Sequence, residues 1–198
     1  MDEKILKINF SNYFWQDNKV RLRAMYPEDW EREYIGQHDT SARRFLECST
    51  GLPPTVTGSK KFVEENVDFS STKGRLMFII EDLEGKSVGE INLSNIDERN
   101  GTFGIGVEID KENRGMGYGT RSMKILLKYA FLERRLNKFN DHILEGNDAS
   151  AKMMKKLGCI QEGVRRQMAY INGKYMDFIL FGLTKDEFIK NHKEELNF

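Results

Sequence analysis

The chain has 198 residues, 39% apolar and 31% charged, which allows a sizeable core and excludes a disordered chain. Lys and Arg number 31 and so do Asp and Glu, so no excess of positive charge drives phosphate-backbone binding and nucleic acid is not an expected partner. Cys48 and Cys159 lie far apart, without a disulfide-framework or metal-ligand spacing; they read as buried thiols of a reducing compartment, and no metal is expected.

At about 150 residues per domain, the length predicts one domain over 1–198. The N-terminal MDEKILKINF mixes charges with apolar residues and lacks a signal-peptide core. Apolar runs such as 178–183 fall far short of the roughly 20 residues that span a bilayer. A cytoplasmic protein without a membrane partner is expected.

In chain order, Val20, Leu22 and Ala24 alternate with Arg21 and Arg23 within 18–25, the period of a half-buried strand. Pro27 opens a helix over 27–36 with acids in its first turn. A short helix at 41–47 stops before Pro53-Pro54, and a third is predicted at 59–69, where Phe62, Val63 and Val67 have helical spacing. Strands at 75–82, 86–97 and 101–110, separated by Gly85 and Asn100-Gly101, predict an antiparallel meander. A glycine loop follows, then a helix to about Arg134 with Met123, Leu126, Leu127, Ala130 and Phe131 in one stripe. A strand at 139–144 precedes a helix from Asn147 to Leu157, closed by Gly158. Strands at 160–171 and 174–183 join through Asn172-Gly173, a strong hairpin signal, and a charged helix, 184–196, ends the chain. The fold class is α/β (α+β): a mixed, largely antiparallel sheet with flanking helices. The crossover 103–144 makes its two strands parallel neighbours or near-neighbours.

The glycine loop carries the functional signal. Gly115, Gly117 and Gly119 alternate, with Arg114 ahead and Thr120 behind. Glycines let backbone N–H groups converge and let a ligand approach without a Cβ in the way; the helix start adds partial positive charge. The loop reads as a phosphate site or as a glycine-rich turn without ligand. G-x-x-x-x-G-K-[ST] is absent, and G-x-G-x-x-G fails at Thr120. That failure and the meander disfavour a dinucleotide oxidoreductase.

Residues 114–119, RGMGYG, fit R/Q-x-x-G-x-G/A. Between a meander and a long helix this resembles the acetyl-CoA pyrophosphate loop of the GNAT superfamily of N-acetyltransferases. Residues 147–163 (NDASAKMMKKLGCIQEG) resemble its second signature, with Cys159 in place of the usual aromatic. Residues 171–188 and 20–31 resemble the closing hairpin and opening strand and helix of the branch holding the ribosomal-protein alanine and spermidine acetyltransferases. The resemblance covers about 20–188.

It implies a GNAT-like fold and direct acetyl transfer from acetyl-CoA to a primary amine, a protein N-terminus or a small molecule, in a ternary complex. It implies acetyl-CoA along Val107 and Ile109, with its pyrophosphate on Arg114, Gly115, Met116, Gly117, Tyr118, Gly119 and Thr120, and further contacts at Asn147 and Ser150. A homodimer is compatible with it. A non-catalytic acyl-CoA-binding or regulatory module with the same fold is the alternative.

An alkylamine of pKa about 10.4 lies about 3 units, or roughly 4 kcal/mol, from its nucleophilic form at pH 7, so a base should take its proton. Glu108, in the strand entering the loop, is one candidate; an exposed alternating residue is its other reading. His142, five residues before Asn147, is a second candidate, with a near-neutral pKa or a structural role. Gly104 stands where many members of the superfamily carry the glutamate. Asn147 reads as an N-cap as well as a cofactor contact. Met154 replaces the tyrosine that many members use as proton donor, and Ser150 matches the serine placed near sulfur in the ribosomal-protein branch. Ala169 replaces a glutamate frequent in that branch. Acceptor residues are expected from 27–47, the segment to about 70 and the last hairpin. There Glu28, Asp29, Glu31 and Glu33 either attract a cationic amine or form a solvated face.

Overall fold

The computed structural model describes residues 8–69 and 74–196. Residues 1–7 of the N-terminal stretch, and position 70 at the edge of the expected acceptor segment, lie outside them. Among the described residues seven strands form one sheet, ordered β1-β2-β3-β4-β5-β7-β6. They are β1 Val20–Ala24, β2 Leu76–Asp82, β3 Ser87–Asp97, β4 Thr102–Ile109, β5 Lys138–Leu144, β6 Ile160–Ile171 and β7 Lys174–Thr184. β2 to β4 are the expected meander, and β1 adds to it antiparallel. In the β6–β7 turn Asn172 and Gly173 have φ of 54° and 75°, both left-handed as a type I′ turn requires.

β4 and β5 are parallel neighbours, as the crossover demands. Their ladder, however, has only two pairs, Thr102↔Lys138 and Phe103↔Phe139. Beyond these, β4 continues against β3 and β5 against β7, so the sheet splits at its centre.

One face of the sheet carries α4 (Tyr118–Lys128). Its apolar stripe, continued by the turn after Lys128, is the one the spacing selects: Met123, Leu126, Leu127, Ala130 and Phe131 are fully buried in the main core. Phe131 meets the rings of Phe103 and Phe188, each at 5.3 Å. The segment α1 (Trp30–Gly36), α2 (Thr40–Glu47) and α3 (Val56–Asn66) supplies the other layer. There Val63 packs with Met25, Met77 and Ile79, flanked by Trp30 and Phe62. Two of the odd-numbered strand residues in the main core, Ile91 and Leu93, therefore lie opposite the even-numbered row that faces α1 and α2.

Some helix limits differ from expectation, each for a local reason. The helix predicted to open at Pro27 begins as a 3-10 turn, Pro27–Asp29, before α1. α3 starts three residues before position 59 because the Thr55 hydroxyl accepts the Gly58 N–H at 3.0 Å. It ends at Asn66, ahead of a turn through Asp68 at φ 54°. The helix expected to run to about Arg134 is α-helical only to Lys128. It then widens into a π turn, Tyr129–Glu133, where the Arg134 N–H donates to Tyr129 O five residues back. The closing helix is two pieces, α6 (Lys185–Asn191) and α7 (Lys193–Leu196), divided at buried His192. α5 spans Asp148–Lys156, and Gly158 beyond it takes φ 86° in the predicted cap role.

Cys159 is buried, and burial pushes its thiol pKa up to about 12. Cys48 is half-buried at the left-handed end of α2, not the buried thiol expected. Among the described residues no helix is long and apolar enough to cross a membrane.

Candidate active site

The three loop glycines answer different needs. Gly115 and Gly117 have φ of 78° and 85°, where side chains are disfavoured, yet a Cβ on either would meet nothing within 4 Å. Their conformation is special and the space beyond them is open. Gly119 has a packing reason instead: its Cβ would stand 3.4 Å from Met153 Sδ of α5 and 3.5 Å from Ile109 Cγ1 of β4. It lets the start of α4 pack closely against Met153 of α5 and Ile109 at the end of β4.

Gly117 is the N-cap of α4 and offers no side-chain acceptor. The first intrahelical bond is Arg121 N–H to Gly117 O at 3.2 Å. The N–H groups of Tyr118, Gly119 and Thr120 therefore precede the helical ladder and suit an anion. This arrangement fits the pyrophosphate of acetyl-CoA. Arg114 serves the loop's shape: its Nε donates to Ile109 O at 2.9 Å, and its guanidinium meets Asp39, the N-cap of α2, at 2.8 Å. Met116 is exposed, and Lys19 lies over the Tyr118 ring at 5.2 Å.

Even-numbered residues of β4 pair with β3 through Asp110 N–H to Val88 O and the same register onward. By alternation, the backbone groups of Ile105, Val107 and Ile109 turn toward the split, while the Val107 and Ile109 side chains pack on the core. α5 begins four residues past the end of β5. Its N-cap is Asn147, as predicted, whose Oδ1 accepts the Ser150 N–H at 3.1 Å, with half-buried Ser150 third in the helix.

A cavity of about 780 Å³ lies on the α1–α2 side of the sheet and reaches β5 at Asp141 and His142. Asn92, Ser94, Asn95 and Gly106 form its sheet wall, and Glu33, Arg43 and Glu47 project from the helices. The two sequence-derived base candidates separate here. His142 lines the cavity, its ring stacked on Phe178 at 4.1 Å and its Nδ1 3.7 Å from Asp141 Oδ1. Glu108 is not among the lining residues: its side chain is 10% exposed, with Arg43 at 3.5 Å, and lies against Gly36 of α1. Glu108 is thus half-buried, not the exposed alternating residue of its other reading. Burial and the neighbouring Glu90 raise its pKa, opposed by Arg43, Arg32 and Arg114.

The acidic helix face divides in the same way. Glu28 and Glu31 are exposed, Asp29 holds Arg23 at 2.7 Å, and buried Glu33 alone of the four lines the cavity. Glu90, Arg43 and Asp141 were not anticipated. For Glu90 a signal existed, an acid among Val88, Ile91 and Leu93 of an expected strand.

Glu90 accepts from Arg32 at 2.9 Å, and Arg32 also reaches Asp110 at 2.8 Å. Burial nevertheless dominates over Arg32, and with Glu33 nearby the Glu90 pKa rises from 4.5 to about 7. The folded state thus binds this proton more tightly than the unfolded chain. The resulting stability is fully present below pH 4.5 and is lost as pH rises through about 7. Burial shifts Glu108 and Asp141 the same way. The melting temperature is expected to fall between about pH 5 and pH 8, and Glu90→Gln to shrink that fall. A fall of equal size in the variant would remove Glu90 as a source.

Comparison with known proteins adds to this geometry. A family model described as an acetyltransferase (GNAT) domain matches residues 19–160. The SPbeta prophage-derived uncharacterized N-acetyltransferase YokL of Bacillus subtilis is 30% identical over 179 residues, covering 90% of this chain and 97% of that protein. The ribosomal-protein-serine acetyltransferase of Escherichia coli is 26% identical over 147 residues, covering 73% and 82%. The crystal structure of spermidine N-acetyltransferase from Vibrio cholerae with CoA and spermine matches at a TM-score of 0.77 and 17% identity, over 87% of this chain and 99% of that one, a likeness of fold.

Proposed function

The chain belongs to the GNAT acetyltransferase family, and from that premise we propose that it transfers the acetyl group of acetyl-CoA directly to a primary amine held in the cavity beside β5. The observation that carries this reading is the continuity of the site. An uncapped helix start with two left-handed glycines leads to a split between β4 and β5, and the cavity reaches β5 at Asp141 and His142.

Acetyl-CoA supplies an acetyl group activated as a thioester. The N–H groups of residues 118–120 receive its pyrophosphate, and the Val107 and Ile109 backbone lines the path of its arm. Among the described cavity residues Glu33, Glu47, Glu90 and Asp141 outnumber Arg43 and Arg75, which suits a cationic acceptor. Spermine bound to the V. cholerae structure and the protein substrate named for the E. coli relative support amine acceptors of both sizes. The two free cysteines fit a reducing cytoplasm.

The test is thiol release from acetyl-CoA with polyamines, amino acids, aminoglycosides and N-terminal peptides. Release above the amine-free rate is expected with at least one of them. CoA binding without release from any would replace the enzyme by the non-catalytic acyl-CoA-binding module.

A further inference from the structure

Where β4 and β5 part, a carboxylate takes over from the missing ladder. Ile105 is the first β4 residue beyond the last pair whose N–H turns toward β5, and Asp141 Oδ2 accepts it at 3.1 Å. Asp141 Oδ1 accepts the His142 N–H at 2.8 Å, so each oxygen retains a second lone pair. Gly104 faces the same group: a Cβ there would stand 3.3 Å from Asp141 Oδ2 and 3.4 Å from Asn95 Nδ2. β4 thus offers no side chain at this point, and the carboxylate from β5 occupies the space beside it. Its side chain is 22% exposed and lines the cavity beside His142.

Resting on the acetyl-transfer reading, we propose that Asp141 is a catalytic residue that takes the proton of the acceptor ammonium, directly or through one water. Its position joins the two halves of the site, with the split on one side and the cavity on the other. Glu108 lacks this access, because α1 and α2 cover it and Arg43 engages it.

The groups facing Asp141 come from several elements. The His142 imidazole lies on β5, and the thiols of Cys48 after α2 and Cys159 before β6 are near enough to feel its charge. Arg43 and Glu47 of α2 and Glu90 of β3 line the same cavity. Burial raises the Asp141 pKa against the two backbone donors and His142, which makes the carboxylate a stronger base. In the reaction the ammonium gives one proton to Asp141. The freed lone pair forms the C–N bond at the thioester carbonyl as the C–S bond breaks, its electrons going to sulfur. The second proton lost from nitrogen ends on the thiolate, and Asp141 returns its own to solvent. Ammonium plus thioester gives amide, thiol and one proton.

Asp141→Asn keeps an oxygen for the Ile105 N–H and removes the base; Asp141→Ser removes it by a second route should the first not fold. Thiol release at saturating acetyl-CoA is measured across about pH 6–9 with an amine the parent uses, alongside CoA titration and a melt. At pH 7 kcat is expected to fall by about 10²-fold or more, with CoA affinity within about twofold of the parent. The residual rate should climb about tenfold per pH unit as solvent deprotonates the amine, a dependence that loss of a structural contact would not produce. A folded variant within about threefold of the parent, with the parent's pH profile, overturns the role of Asp141 alone. A parent that binds CoA and releases no thiol with any amine overturns acetyl transfer, and this role with it.

Discussion

Gly117→Val is expected to weaken acetyl-CoA binding at least tenfold, about 1.4 kcal/mol, in a protein that still folds. Gly117 caps α4 at φ 85° and ψ 2°, a region that costs an L-residue about 1–2 kcal/mol. Strain shared by the free and bound forms cancels from the affinity, so strain alone does not produce the effect. Two consequences remain. A valine that relaxes out of the left-handed region rotates the peptide leading into Tyr118 and turns its N–H away from the anion. A valine that stays places a branched side chain in space now empty to 4 Å, where the ligand is proposed to lie. Either way the loss falls on binding, and the distant α4 stripe keeps its packing. Calorimetric titration with CoA gives the affinity and a thermal melt the control. A folded variant that binds CoA as the parent does would mean that the loop does not hold the phosphates.

The elements that alternation and turn residues define were readable because their causes are local. The Asn172-Gly173 turn, the Asn147 cap and the α4 stripe each follow from a few neighbouring residues. The adjacency of β4 and β5 was readable too, since one helical crossover leaves few other arrangements. The length of their ladder was not. Nothing within 102–109 or 138–144 tells that pairing ends after two residues; Asp141, 36 positions from Ile105, takes the next N–H. Glu108 shows the same limit. Alternation puts it on the correct face of β4, but its burial depends on Arg43, 65 residues away, and on the seating of α1. Asp141 itself escaped notice because an acid beside a histidine in a half-exposed strand looks like surface. Only the split turns it inward.

Ser150→Ala is expected to lower turnover by about 10²–10³ at saturating acetyl-CoA, on the proposal that its hydroxyl supports departure of the thiolate. Asn147, not Ser150, supplies the capping acceptor: its Oδ1 takes the Ser150 N–H at 3.1 Å. The Ser150 hydroxyl is therefore not needed to start α5, and it lies in the first turn, where the helix field favours negative charge. A coenzyme thiol has a pKa near 8.5, so sulfur leaves with substantial negative charge, and a hydroxyl donor strengthens its bond as that charge grows. Met154 removes the tyrosine alternative in the same helix. Because the cap stays intact, the melt should move little, by no more than a surface hydroxyl's roughly 0.5 kcal/mol. A structural serine and a donor to a developing charge thus predict the same melt and rates at least 100-fold apart, about 2.7 kcal/mol or more. Turnover within about twofold of the parent, with an unchanged melt, would remove Ser150 from the chemistry and leave the α5 field alone to stabilise the leaving sulfur.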